Sequence, residues 1–107
     1  MVDVAEVWAE ALPAIKEGVT GVGVWTALNS VVPVTLEEDT LVLGLPNRET
    51  ELGGHLRLPQ TRRVIEHEVT IRINQKVNLR VIEGTKKEDW ETEKRRDAER
   101  RRLQEQA

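Results

Sequence analysis

The sequence contains no cysteine, no phenylalanine and no tyrosine, and it has only four prolines and three tryptophans. The missing cysteine excludes disulfide bonds, thiolate metal sites and cysteine nucleophiles. No basic segment followed by an apolar one stands near the first residue, so no signal peptide is predicted. No apolar run approaches the ~18–20 residues of a membrane span. These absences are compatible with the cytosol, and we expect a soluble, cytoplasmic protein.

Charge is abundant but nearly balanced, with 33% of the residues charged and a net charge of −3. Residues 1–84 carry 8 Lys or Arg against 12 Asp or Glu, a net charge of −4. Residues 85–107 carry 8 against 7, a net charge of +1. We therefore divide the chain into a body, 1–84, and a charged tail, 85–107. The acidic body argues against binding nucleic acid through its phosphates, which requires clustered positive charge.

Residues for catalysis or for a cofactor are scarce. His55 and His67 have no partner set, and the single serine, Ser30, has no histidine near it in sequence. A zinc site would need a third and a fourth ligand that the sequence does not supply. Three glycines spell G-x-x-G-x-G at residues 18–23, but a predicted helix precedes them, whereas a dinucleotide-binding loop follows a strand. We expect no enzymatic activity, no cofactor and no metal site.

The body begins with a predicted amphipathic helix. Asp3 and Glu6 have the spacing of a capping box. The apolar stripe that follows consists of Val4, Trp8, Leu12, Ile15 and Val19. Pro13 lies inside this pattern, and a proline within a helix costs about 3 kcal/mol. We expect a bend or a break in the helix near residues 10–12.

A second, shorter helix is predicted over residues 20–30. Thr20 is the expected N-cap. Val22, Trp25 and Leu28 would share one face, and this pattern predicts that Trp25 lies in the core.

Two alternating apolar segments, 31–36 and 41–45, predict a hairpin around a polar turn. Val32, Val34 and Leu36 would share one face of the first strand, and Pro33 suits a strand at the sheet edge. Leu41, Leu43 and Leu45 would share one face of the second strand.

The segment Leu-Pro-Asn that ends this strand predicts a joint to a helix. Pro46 cannot donate to a sheet, so it suits the end of a strand. Asn47 is expected to cap the first turn of the helix that follows. The joint is predicted to be a structural corner first and a contact surface second.

The rest of the body predicts a helix and a final strand. Pro59 fits the first turn of the helix, and Ile65, Val69 and Ile73 lie on one helical stripe. Residues 77–83 alternate as a strand. Because residues 69–73 alternate as well, a hairpin over 69–83 is the alternative. The predicted class is α+β, with the order α-α-β-β-α-β and a three-stranded sheet.

The tail has few apolar residues after Trp90. Glu91 with Arg95, and Asp97 with Arg101, have the spacing of helical ion pairs. A solvated helix or a frayed linker is therefore expected. The candidate residues for contact with nucleic acid or an acidic partner are Arg95, Arg96, Arg100, Arg101 and Arg102.

Three short motifs occur in order along the body: Val7-Trp8, Val22-Gly-Val-Trp25 and Leu43-Gly-Leu-Pro-Asn47. Their order and spacing over about residues 3–84 resemble the N-terminal domain, domain I, of the bacterial replication initiator DnaA. The resemblance implies a KH-like α+β module that binds proteins. It implies self-association, contact with the replicative helicase and with regulators of initiation, and weak binding of single-stranded DNA. It also favours the helix over the hairpin.

Several positions depart from the family's pattern. The acidic residue that contacts the helicase in the family falls at Gly21, and the aromatic residue after Pro-Asn-x falls at Glu49. Gly53 and Gly54 stand where the third helix of the family carries a later tryptophan. Contact with the helicase and with DNA is therefore less well supported than self-association.

Trp8 matches the position that the family uses for self-association, and it has two interpretations, core or interface. As an interface, helix one would pair with itself across a two-fold axis in a weak homodimer. The candidate interface residues are Trp8, Val4, Leu12 and Asn47.

The predicted function is a protein–protein interaction module linked to replication initiation. The alternative is a KH-like protein that binds single-stranded nucleic acid through a Gly-x-x-Gly clamp at residues 18–21.

Overall fold

A three-stranded sheet lies between a layer of helices and one long helix in the computed structural model, which describes residues 3–106. Met1, Val2 and Ala107, at the ends of the predicted body and tail, lie outside the described residues. The elements are α1 (Val4–Gly18), α2 (Val22–Ser30), β1 (Val32–Glu37), β2 (Thr40–Leu45), a 3-10 segment (Asn47–Leu52), α3 (Gly53–Leu56), α4 (Pro59–Ile73), β3 (Asn78–Glu83) and α5 (Lys87–Gln106). The predicted α+β class, its element order and a C-terminal helix are confirmed. The alternative hairpin is wrong, because α4 is helical as far as Ile73.

Helix α1 begins as predicted and continues without a break. The Asp3 carboxylate accepts hydrogen bonds from the N–H groups of Ala5, at 3.0 Å, and Glu6, at 3.3 Å. Pro13 lies inside the helix, so the predicted break is absent. Pro13 has no N–H to donate to the carbonyl of Ala9. Both residues are exposed, so water can reach that carbonyl. Burial on the opposite side of the helix offsets the remaining cost.

Helix α2 presents a different face to the core from the predicted one. Its N-cap is Gly21, with φ 112°, and no side chain caps it, so the prediction for Thr20 is wrong. Only glycine readily adopts this backbone angle. The buried residues are Val24, Ala27, Leu28 and Val31. Their spacing, i, i+3, i+4 and i+7, is a stripe that competes with the predicted one and leaves Trp25 outside.

The sheet has the order β1-β2-β3, with β1 antiparallel and β3 parallel to β2. The predicted edge position of Pro33 is confirmed. A bulge between Pro33 and Thr35 shifts the register of β1. It places Val34 against the cluster on one face of the sheet, whereas Leu36 packs on the other face. The prediction that Val34 and Leu36 share a face is therefore wrong, because a bulge adds a residue and reverses the alternation.

Strand β2 is buried on both faces. Leu41, Leu43 and Leu45 join the main core beneath α1, α2 and α4, as their alternation predicts. Val42 faces the other way and packs with Ile82 of β3 and Trp90 of α5. The first turns of the predicted tail therefore cover the second face of the sheet.

The chain just after β3 passes closely over Gly44 of β2. A Cβ atom at Gly44 would lie 2.1 Å from the carbonyl oxygen of Gly84, so only glycine fits. Gly84 itself has φ 93° and ends β3 as the chain turns towards α5.

The corner after β2 is a strand-to-helix joint, as predicted, but its cap differs. A 3-10 segment begins at Asn47, and the N-cap position belongs to Pro46 without a side-chain hydrogen bond. The backbone N–H of Glu49 donates to the Pro46 carbonyl at 2.8 Å. The prediction that the Asn47 side chain caps a helix is wrong, since Asn47 already lies inside the tight 3-10 turn.

We predict that Trp90→Ala lowers the free energy of unfolding by about 3 kcal/mol, because it opens a cavity against Val42 and Ile82. Trp90 is 7% exposed. Urea unfolding followed by circular dichroism measures the change. The control is Leu103→Ala, on the same helix but 57% exposed, which should stay within about 0.5 kcal/mol of wild type. Equal effects of the two substitutions would contradict the packing of α5 on the sheet.

Candidate protein-interaction surface

A long stretch of the chain carries no charge. From Gly18 to Leu36 there is no Asp, Glu, Lys or Arg, although 33% of the whole chain is charged. Helix α2 lies within this stretch and presents several of its residues to solvent. Depletion of charged residues is typical of the centre of a protein interface. This charge gap is the sequence signal that could have identified the surface, and the apolar periodicity alone did not.

The exposed residues of α2 form what we call the α2 surface: Gly21, Val22, Trp25, Thr26 and Asn29. They line an open depression of about 440 Å³. Val22 is 85% exposed and Trp25 is 45% exposed. The Thr26 hydroxyl donates to the Val22 carbonyl at 2.8 Å, so its donor is used within the helix. The surface therefore offers apolar contact with few free hydrogen-bond donors.

One cation holds the tryptophan of this surface in place. The Lys16 Nζ lies 5.7 Å from the centroid of the Trp25 ring, within the range of a cation–π contact. The same Nζ donates to Asn29 Oδ1 at 2.5 Å. Lys16 thereby joins α1 to α2 and fixes one side of the exposed ring. A partly ordered tryptophan can bury a large apolar area on binding at a small entropic cost.

The residues predicted as an interface lie elsewhere. Trp8 is 5% exposed and belongs to the main core, which agrees with the first of its two interpretations. Val4 and Leu12 are partly buried and pack against the same core. Asn47 is exposed at the corner after β2. The prediction that Trp25 lies in the core is wrong, because this ring is 45% exposed.

The arginines of α5 are spread around the helix and largely paired with carboxylates. At ~100° per residue, positions 95, 96, 100, 101 and 102 occupy most of the helix circumference instead of one stripe. Arg96 lies 3.8 Å from Glu93. Arg100 lies 3.1 Å from Asp97, and Arg102 pairs with Glu99.

These ion pairs of α5 span three residues, where the sequence predicted a spacing of four. Arg95 donates to the Thr92 hydroxyl at 3.2 Å, and Lys94 takes Glu91 as its partner at 3.0 Å. Arg101 lines an open groove beside Glu37 and Asp97. Neighbouring carboxylates thus screen much of the positive charge that a phosphate contact would use. Weak binding of single-stranded DNA stays a prediction.

Glu37, at the end of β1, fastens α5 to the sheet. Its carboxylate accepts hydrogen bonds from Trp90 Nε1 at 2.5 Å and from Lys94 Nζ at 3.0 and 3.1 Å. The Trp90 hydrogen bond, and then that of Lys94, lowers the pKa of Glu37 below its ordinary value of 4.5. The pKa of Lys94 is raised by its hydrogen bonds to Glu91 and then Glu37. The charged carboxylate is therefore the form that holds the helix.

Residues 3–106 contain no group of three or more His, Cys, Asp or Glu side chains placed to hold a metal ion. Within the same range, no helix combines the length and the apolar composition that crossing a bilayer requires. His67 lines an open groove with Gly18 and Val64, and the ring of His55 lies over Gly23.

We predict that Trp8→Ala and Trp25→Ala differ sharply in stability. Trp8→Ala should lower the free energy of unfolding by about 3 kcal/mol or more, because it empties a core site. Trp25→Ala should cost about 1 kcal/mol or less, because the ring is half exposed. Urea unfolding of the two variants measures both values. A large loss from Trp25→Ala would show that this ring is a core residue and would remove it from the α2 surface.

We predict that the stabilising effect of Glu37 depends on pH. Because folding lowers the pKa of Glu37, its contribution is present above the pKa of the unfolded chain and is lost as pH falls through the folded pKa. Wild type should therefore be more stable than Glu37→Gln near neutral pH, and this difference should shrink below about pH 4. Urea unfolding over that range measures it. Glu105→Gln, at the exposed end of α5, is the control and should show no such difference; a pH-independent gap for Glu37→Gln would contradict the electrostatic origin.

Comparisons with known proteins identify no relative: no family model, no curated protein and no solved structure matches the chain. The function proposed below therefore rests on the chain's own residues and on the resemblance described in the sequence analysis.

Proposed function

We propose that this chain is a protein–protein interaction module of the kind that domain I of DnaA provides, acting in replication initiation in the bacterial cytoplasm. The α2 surface is its contact site. Its partner is a second copy of the chain or a replication or regulatory protein. The observation that carries the proposal is a half-exposed tryptophan on an uncharged helix in a heavily charged protein.

The chemistry of the α2 surface favours a protein partner. Tryptophan is enriched among the residues that contribute most to binding, and charged residues are depleted where such contacts are buried. Val22 beside Trp25 adds aliphatic area, and Asn29 and Lys16 supply a polar margin. An exposed apolar pair of this kind has no role in the core beneath it, which Val24, Ala27 and Leu28 already fill.

The resemblance to domain I is a second argument for the α2 surface as the contact site. The family's acidic contact residue falls at Gly21, which lines the α2 surface. With glycine there, the surface has no carboxylate to attract a basic partner, and contact depends on Val22 and Trp25. The same absence of charge lets two copies of the surface meet without like-charge repulsion. Trp8 is buried and cannot supply the contact without repacking the core.

We predict that Trp25→Ala weakens association by about 10- to 30-fold, as expected for a central aromatic contact. Sedimentation equilibrium measures self-association of the purified chain. Surface plasmon resonance measures its binding to the replicative helicase and to initiation regulators of the same organism. Val22→Asp should weaken the same interaction because it places an unpaired charge in the contact.

The matched control is Ile71→Ala, which removes a 58% exposed apolar side chain from α4. It should leave association unchanged, and circular dichroism should show all three variants folded. If wild type neither self-associates nor binds these partners, the interaction module is wrong. If it binds and Trp25→Ala binds equally well, the α2 surface is not the contact site.

A further inference from the structure

Strand β3 forms one edge of the sheet, and its outer side faces a cleft. The N–H of Asn78 donates to Asp39 at 2.7 Å and the N–H of Gly84 donates to Leu45 at 2.8 Å, both on the β2 side. Successive residues of a strand direct their N–H and C=O groups to alternate sides. The backbone groups of Leu79 and Val81 therefore point away from β2, toward the open edge.

Two of these outward backbone groups form hydrogen bonds with side chains. The N–H of Leu79 donates to Glu66 Oε2 of α4 at 2.7 Å. The carbonyl of Val81 accepts a hydrogen bond from Arg57 Nη2, in the turn after α3, at 3.0 Å. A carboxylate thus stands where a neighbouring strand would place a carbonyl, and a guanidinium stands where it would place an N–H. These two groups are satisfied in the way that a further strand would satisfy them.

The two edges of the sheet are protected by different means. At β1, Pro33 removes a donor and the bulge at Val34 distorts the ladder. That protection belongs to the backbone and is permanent. At β3, the strand is regular from Asn78 to Glu83, and the side chains of Glu66 and Arg57 cover it. Because side chains can rotate, the two hydrogen bonds at the β3 edge can be exchanged for others, whereas the protection of β1 cannot.

The cleft along β3 has a volume of about 300 Å³ and is lined by Arg57, Arg62, Leu79, Arg80, Val81 and Glu93. Arg62 is paired with Glu66 at 3.0 Å, and Arg80 with Glu93 at 3.2 Å. Arg57 differs, because among residues 3–106 its guanidinium meets the Val81 carbonyl and makes no salt bridge. A Cβ at Gly53 would lie 2.7 Å from Arg57 Nη1, so the glycine leaves room for this side chain. The cleft therefore holds one guanidinium, that of Arg57, which is fixed by a hydrogen bond and has no carboxylate partner among residues 3–106.

We propose that the outer edge of β3 binds an extended acidic peptide as a fourth strand. A peptide carbonyl replaces Glu66 at the N–H of Leu79, and a peptide N–H replaces Arg57 at the carbonyl of Val81. The released Arg57 then pairs with a carboxylate of the peptide, which is a stronger contact than its present one to a neutral carbonyl. Strand addition of this kind draws affinity from the backbone and specificity from alternate side chains.

The charge of the cleft selects this occupant over a second copy of the chain. Pairing two β3 edges across a two-fold axis would bring the Arg57 side chains of the two copies toward each other without a carboxylate to pair with, whereas Arg62 and Arg80 already have Glu66 and Glu93 as partners. Like charges placed opposite each other oppose association. The site shares no residue with the α2 surface, so it stands independently of the function proposed above.

The test uses the full chain and two end-blocked peptides, TVEVEVT and TVKVKVT, each carrying a fluorophore for anisotropy titrations. The acidic peptide should bind at least about tenfold more tightly than the basic one. N-methylation of alternate residues of TVEVEVT should abolish binding, because it removes the backbone donors that a strand needs. In nuclear magnetic resonance spectra, the amide signals of Leu79 and Val81 should shift on binding.

Variants of Glu66 and Arg57 separate the strand contact from simple charge attraction. Arg57→Gln should weaken binding of TVEVEVT by about fivefold or more. Glu66→Ala uncovers the N–H of Leu79 and should bind about threefold or more tightly than Glu66→Gln, which lacks the same charge but keeps an acceptor oxygen. Glu68→Ala, on the same helix and paired with Arg72, is the control for net charge and should leave binding near wild type.

Several results would overturn the proposal. The first is that neither wild type nor Glu66→Ala binds TVEVEVT at about 1 mM, a concentration that corresponds to a binding free energy of only about −4 kcal/mol. The second is equal binding of the two peptides. The third is undiminished binding of the N-methylated peptide. If Glu66→Ala forms a dimer in place of binding the peptide, the occupant is a second copy and the acidic peptide is wrong. Should Glu66→Ala fail to fold, the N-methylated peptide and Arg57→Gln decide the question with wild type as reference.

Discussion

Burial of β2 on both faces is the constraint on which the rest of the structure depends. Five consecutive residues, from Leu41 to Leu45, are buried, and strands pair with both edges of β2. A strand in this position needs a cover on each side, because neither face offers polar groups to water. The layer of α1, α2 and α4 supplies one cover, and Trp90 of α5 supplies the other. The charged helix is thus tied to the body through Trp90, through the Glu37 carboxylate that holds it, and through the ion pair between Arg80 and Glu93.

The three tryptophans lie in three different environments. Trp8 fills the main core and Trp90 fills the smaller cluster on the opposite side of the sheet. Trp25 remains half exposed beside a lysine that steadies its ring. Since the chain has no phenylalanine or tyrosine, these rings are its only large aromatic surfaces. Two of them stabilise the fold, and the third is left available for a partner.

Much of the fold followed from local rules, and the errors have identifiable physical causes. The stripe of Ile65 and Val69 and the proline at the start of α4 predicted that helix, and the capping role of Asp3 was confirmed. Local alternation could not reveal the bulge at Val34, because a bulge depends on pairing with a distant strand.

The candidate site was harder to predict than the fold. Helix α2 has two apolar stripes, and the one that turns inward is chosen by the helices and strands packed against it, which periodicity does not include. For that reason the sequence predicted Trp25 as a core residue, whereas its ring is half exposed. The edge of β3 was invisible for the same reason, since Glu66 and Arg57 meet it from separate parts of the chain.

The contact between Gly44 and Gly84 also protects the chain against misfolding. A register slip of one residue between β2 and β3 would carry Leu43 or Leu45 into the place where even one extra carbon atom collides with the backbone. A slip would also turn the leucines of β2 away from the helical layer. Steric clash and loss of hydrophobic burial thus both disfavour a slipped register of β2 and β3. Parallel strands must find each other across a long connection, and here both effects favour the observed alignment.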